Sequence, residues 1–142
     1  MSLGAIVLDN EAVQALLDVA HATHRRVVAI VTEVSRRNRR RPGRVAIIVP
    51  TAVRVEAGWD RTDPAAANAN RIARPRDVPL DRPAADRAVQ LRAATGVSVV
   101  DACVGQAFES APQPAAVVSS DLGDMARLRA ASHAPDARIV PL

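Results

Sequence analysis

The stretch Val97–Met125, V-S-V-V-D-A-C-V-G-Q-A-F-E-S-A-P-Q-P-A-A-V-V-S-S-D-L-G-D-M, decides the reading of the chain. Asp101 opens a helix whose inward face carries Val104, Ala107 and Phe108. After a connection broken by Pro112 and Pro114, the run Ala115–Val118 reads as a short apolar strand with Asp121 just behind it. In an α/β protein the carboxyl ends of parallel strands lie side by side, so an acid past one strand meets acids from other strands and helix starts. Such a cluster repels itself unless a cation is present.

Working outward, the same pattern recurs. Ala5–Leu8 is an apolar run ending at Asp9, which suits a strand buried on both faces, and Asn10 is a fitting N-cap for the helix marked by Ala12, Val13, Leu16, Leu17 and Val19. A second helix from about Thr23 to Arg37 places Val27, Val28, Val31 and Val34 on one face; the basic cluster Arg36–Arg41 follows, ended by a Pro42-Gly43 turn. Val45–Val49 is the second strand, and Thr51 is placed to cap a helix holding Val53, Glu56 and Ala57, with Asp60 one turn on. Asp63-Pro64 opens an Ala-rich helix to about Ala73, Arg76–Leu80 reads as a brief strand, and Arg82–Thr95 is a helix ended by Gly96. A helix over Leu122–Ser132 and a last strand over Arg138–Pro141 complete the chain. Strands alternating with helices predict an α/β protein, a mostly parallel sheet covered on both faces, in a single domain over residues 1–142.

Composition narrows the function. The only aromatic residues are Trp59 and Phe108, so the core is built from Ala, Val, Leu and Ile. All 19 basic residues are Arg. The lack of Lys disfavours response-regulator receivers, haloacid-dehalogenase-type phosphatases and P-loop enzymes, which combine their acids or phosphate loops with a Lys. Net charge is +4, so the surface attracts polyanions, nucleic acid first among them. Cys103, the single cysteine, forms no internal disulfide and reads as a small core residue. The N-terminus has no basic segment and its apolar run is too short for a signal peptide, and no run approaches a membrane span. The expected location is the cytoplasm.

Four acids stand at matching positions: Asp9 in L-D-N after the first strand, Glu56 in V-E-A, Asp101 in V-V-D-A and Asp121 in V-V-S-S-D-L-G-D-M. In this order and at these element ends they make the chain resemble the PIN-domain family, and within it the ribonuclease toxins of bacterial VapBC-type toxin–antitoxin pairs. The resemblance covers essentially the whole chain. It implies a three-layer α/β/α fold and a Mg²⁺- or Mn²⁺-dependent endoribonuclease site in which Asp9, Glu56, Asp101 and Asp121 match the family's acidic quartet. Asp124 falls where some members carry a further acid, and Ser119 and Ser120 where a small hydroxyl residue precedes the last acid. The resemblance further implies an RNA substrate, an antitoxin partner that blocks the cleft, and a homodimer. The interval between Asp9 and Glu56 departs from the pattern, being longer and Arg-rich.

The chemistry agrees with that implication. Mg²⁺ and Mn²⁺ take hard oxygen ligands and keep several waters, so a few carboxylates facing an open cleft hold them. Asp9 and Asp101 are then expected to hold the principal ion, with Glu56 positioning water or a second ion. Against this stands the plainer reading of each acid as a helix cap contributing about 1 kcal/mol. His21 and His24, three residues apart, lack a third ligand in the sequence and suit a solvated helix, and His133 suits a surface loop. The basic run Arg36–Arg44 is either an RNA or antitoxin contact or solubilising charge. Trp59 reads as a core or subunit anchor. The rival functions are a PIN-like binding module without catalysis and a nuclease acting on DNA or on nucleic-acid structures.

Overall fold

The computed structural model describes residues 3–41 and 44–142; the expected Pro42-Gly43 turn lies outside them. The elements are β1 (Ala5–Leu8), α1 (Asn10–Leu17), α2 (His24–Arg40), β2 (Ala46–Pro50), α3 (Thr51–Ala57), a 3₁₀ turn (Pro64–Ala66), α4 (Ala67–Ala73), β3 (Arg76–Val78), α5 (Arg82–Thr95), α6 (Val99–Ser110), β4 (Ala115–Ser119), α7 (Leu122–Ala131) and β5 (Arg138–Pro141). All five strands are parallel, in the order β3-β2-β1-β4-β5. Val7 of β1 pairs with Ile48 on one side and Val117 on the other. The central strands are continuous apolar runs because helices cover both faces: α1, α2 and α4 pack together in one layer, α5, α6 and α7 in the other. The chain winds outward from β1 to β3, then crosses to β4, so strand order reverses between β1 and β4. Ligands of open parallel sheets bind outside the carboxyl ends at such a reversal.

Hydrogen bonds explain where elements start and stop. Asn10 is not the cap of α1: the carboxylate of Asp9 accepts from the Ala12 amide at 2.8 Å, which makes Asp9 the cap and Asn10 the first helical residue. β2 begins at Ala46 rather than Val45, since both backbone groups of Val45 are bound by the Asn38 side chain, at 2.8 and 3.0 Å. Thr51 does not cap α3 either; its hydroxyl accepts from the Leu80 amide, which removes Leu80 from the ladder, and with Pro79 lacking an N–H, β3 ends at Val78. Ser98 caps α6 by accepting from the Asp101 amide at 3.1 Å, so that helix starts at Val99, two residues before Asp101. Gly96 closes α5 at φ 74°, as its sequence position foretells.

His21 and His24 do not face each other as a metal pair. His21 Nδ1 accepts from the Thr23 amide, which leaves Nε2–H to donate to Glu11 at 2.9 Å, while His24 Nδ1–H donates to the Ala15 carbonyl at 2.7 Å. They pin α2 to α1. Trp59 is buried, donating from its indole to Asn70 at 2.9 Å with the Arg61 guanidinium over its ring. Across the other layer, Arg87 reaches both oxygens of the nearly buried Glu109, with the exposed His133 at 3.6 Å, and so ties α5 to α6. Both sheet edges are short: β3 exposes Arg76 and Asp77, and β5 ends in Pro141.

Gly4 sits where β1 meets the chain entering β4, its amide bound to the Pro114 carbonyl at 2.7 Å. A β-carbon there would lie 2.5 Å from the Pro112 carbonyl oxygen and 2.7 Å from its carbon, both backbone atoms. Gly4→Ala is therefore expected to cost about 2 kcal/mol or more, read as a lower urea midpoint with an unchanged slope.

Candidate metal centre

Three helix starts and two strand ends bring acids to the carboxyl edge of the sheet. Asp9 follows β1 and is only 4% exposed. Asp121 follows β4 through Ser120, caps α7 by accepting from the Asp124 amide at 3.1 Å, and is itself exposed. Asp101 and Asp124 lie half-buried in the first turns of α6 and α7. Asp101, Asp121 and Asp124 each present a carboxylate oxygen within 4.8 Å of the others.

The electrostatics record the crowding. Burial raises the Asp101 carboxyl first, a hydrogen bond with Asp124 and the charges of Asp124, Asp9 and Asp121 raise it further, and it reaches about 7. Burial also raises Asp9, opposed by hydrogen bonds from the Ser119 hydroxyl and the Ala12 amide. Ser119 is fully buried and serves both strand-end acids, its oxygen also accepting from the Asp121 amide at 2.9 Å. Ser120, the other hydroxyl residue singled out in the sequence, is exposed. Arg127 donates to Asp124 one turn along α7. The charge of Asp9 acts on Asp101 and that of Asp121 on both, so Asp9 belongs to the same electrostatic neighbourhood as the converging three.

Glu56 stands apart from the converging three. It is exposed in the last turn of α3, three residues after the buried Val53. Asn10 carries a signal the sequence did not give: its side-chain oxygen is buried with no hydrogen-bond partner among the described residues, directly after Asp9. Asp9 takes the Ala12 amide, and the Asn10 oxygen one residue on makes no bond with the helix end.

No protein-family model matches the chain. No curated protein matches its sequence. Solved structures do match. A chain of VapBC2 from Rickettsia felis, in a crystal structure bound to a DNA fragment from their promoter, superposes with a TM-score of 0.57 at 9% identity, covering 96% of this chain and 98% of that one. PAE2754 from Pyrobaculum aerophilum superposes less well, with a TM-score of 0.47 at 20% identity over 99% of this chain and 92% of that one. The five-stranded parallel sheet between two helical layers and the near-complete superposition on the VapBC2 chain give this protein the PIN-like three-layer α/β/α fold.

Proposed function

We propose that the chain is a divalent-metal-dependent endoribonuclease, a single PIN-like domain over residues 1–142 that acts as the toxin of a VapBC-like toxin–antitoxin pair in the cytoplasm. The observation that carries the proposal is the convergence of Asp101, Asp121 and Asp124 over the buried Asp9, at the strand-order reversal where parallel sheets bind ligands. The donor set fits Mg²⁺ or Mn²⁺: the groups are carboxylate oxygens, the soft thiol of Cys103 is buried in the core, and the unpartnered Asn10 oxygen adds one more hard donor beside Asp9. Burial, and after it the neighbouring acids, also keep Asp101 partly protonated at neutral pH, a penalty that a bound dication relieves.

Asp9 and Asp101 would hold the principal ion, with Asp121 and Asp124 completing its anionic surroundings. The ion, when bound, lowers the pKa of its water and neutralises charge on the phosphate. Ser119, bonded to Asp9 and to the Asp121 amide, fixes the direction of both acids. Glu56, exposed on α3, serves the substrate side by positioning water or a second ion. The net charge of +4 draws RNA toward the molecule while the acids select the metal. Val99 and Leu122, 56% and 46% exposed beside Asp101 and Asp121, support an antitoxin that seats apolar side chains over this edge. Exposed Val55 and Val89 support a homodimer built on helical faces.

The test is cleavage of total bacterial RNA by the purified protein with Mg²⁺ or Mn²⁺, beside Asp9→Asn, Asp101→Asn and an EDTA control. Discrete fragments that vanish in both variants and in EDTA are expected. Metal binding by folded protein without cleavage of any RNA pool would establish the binding module instead, and preferential cutting of duplex or flap DNA would establish the DNA nuclease.

A further inference from the structure

A cavity of about 740 Å³ opens between α2, α4 and the amino ends of β2 and β3. Its floor includes Val45 and Ile47, and its rim carries Arg39, Arg71, Arg74 and Arg76 with no carboxylate among the lining residues. The acids of the metal centre follow the carboxyl ends of β1 and β4, so this cleft lies at the opposite end of the sheet, roughly 15–20 Å away by strand rise and spacing.

Most polar groups of the cleft's walls are committed to the fold. Ser35 donates to the Ile72 carbonyl at 2.7 Å, and the Asn38 amide is bound on both sides to Val45. Arg71 donates to Asn68 at 2.7 Å. Arg39, Arg74 and Arg76 make no ion pair among the described residues, although the arginines at 36, 37, 54, 61, 87 and 127 each have an acid partner. Four neighbouring guanidiniums around one cavity repel one another, and all four are exposed without a counter-charge among the described residues.

Arg74 shows that the charge is held at a cost. It ends α4 in the left-handed region, φ 42° and ψ 54°, and is the only residue other than glycine with positive φ among the described residues. Gly58 and Gly96 fill the equivalent positions after α3 and α5. Glycine relieves the strain of this conformation, so a helix end that presents Arg instead is one where the guanidinium serves another purpose.

We infer that the cleft between α2 and α4 binds the phosphodiester backbone of single-stranded RNA, through Arg39, Arg74 and Arg76, at a distance from the metal centre. The identification of the anion as RNA rests on the ribonuclease proposal; the cleft itself does not. Planar guanidiniums bind phosphate oxygens with paired N–H donors, and a cluster of them on a rigid floor follows a backbone without reading bases. Substrates long enough to span both sites would bind more tightly than short ones.

The experiment measures binding of single-stranded RNA of about four and about twelve nucleotides in EDTA, where nothing is cut, as a function of salt, for the wild type and Arg39→Gln/Arg74→Gln/Arg76→Gln. The triple variant should bind both RNAs more weakly, the longer one at least about tenfold at about 0.1 M salt with a salt slope shallower by about 2. Arg74→Gly supplies a second reading that misfolding cannot mimic: its thermal midpoint should rise while its affinity for the longer RNA falls. An unchanged slope in the triple variant, or tighter binding of a polyglutamate peptide than of RNA with only the peptide lost on mutation, would overturn the inference. If the wild type cuts no RNA yet the slope still falls as stated, the ribonuclease proposal fails and the phosphate cleft stands.

Discussion

In metal-free buffer at pH 8, Asp101→Asn melts at a higher temperature than the wild type, and with metal restored it cleaves RNA at least about 100-fold more slowly. The two effects share one cause. Asp101 keeps its proton to about pH 7 in the folded chain, whereas an unfolded chain releases it near 3.8. Its folded value is raised, so the stability tied to it is full below about pH 4, falls as pH rises toward 7, and stays low above that. A shift of this size corresponds to a penalty on the order of 2–4 kcal/mol, the lower figure being apt for a half-buried group that solvent screens. Asn keeps the shape and a hydrogen-bond donor toward Asp124 without the charge, which should recover roughly 5 °C or more. Melts of both proteins from pH 4 to pH 8 should converge at the acid end and diverge above it, and saturating Mg²⁺ should flatten the wild-type curve. A pH-independent gap would show that ionising the half-buried Asp101 among its acidic neighbours is not the cause.

Phe108→Ala should cost about 3–5 kcal/mol, a large share of the stability of a small domain. Phe108 is fully buried on α6, the helix that touches β1, β2 and β4 as well as α5 and α7. Most of the rest of that core is aliphatic, and α6 lies close to α7, where a β-carbon on Gly105 would meet Leu128 Cδ2 at 2.8 Å. Neighbours this small and this closely spaced have little reach with which to fill the volume of a lost ring. Urea unfolding followed by the fluorescence of Trp59, the single tryptophan, reads the loss directly, and Phe108→Leu should recover most of it. A cost below about 1.5 kcal/mol would mean that the helices move in to close the gap.

Much of this was written in the order of the residues. The uninterrupted apolar runs Ala5–Leu8 and Ala115–Val118 announce strands covered on both faces, and the acid behind each announces the carboxyl edge. Gly96 marks the end of α5 because only the left-handed turn it permits closes that helix. Boundaries set by distant partners were hidden: Asn38 stops β2 from including Val45, and Thr51 draws Leu80 out of β3. The membership of the acid cluster was legible only in part. Asp101 and Asp121 converge with Asp124, the further acid the sequence also offered, while Asp9 is buried beside them, near enough for its charge to act on Asp101. Glu56 shares the linear pattern, yet α3 carries it into solvent. The basic run Arg36–Arg44 divides likewise, with Arg36 and Arg37 spent on Glu33 and Arg39 turned to the cleft.

The two edges of the sheet have a bearing on how the protein behaves at high concentration. A strand can recruit another chain only by offering a run of unpaired amides and carbonyls. β3 offers three residues flanked by Pro75 and Pro79, with Arg76 and Asp77 standing out of it, and β5 closes on Pro141, which has no amide to give. Neither end can template a growing ribbon. Concentrated solutions should therefore stay free of cross-β fibrils, and copies of the chain that meet will do so through helices, in contacts that dilution reverses.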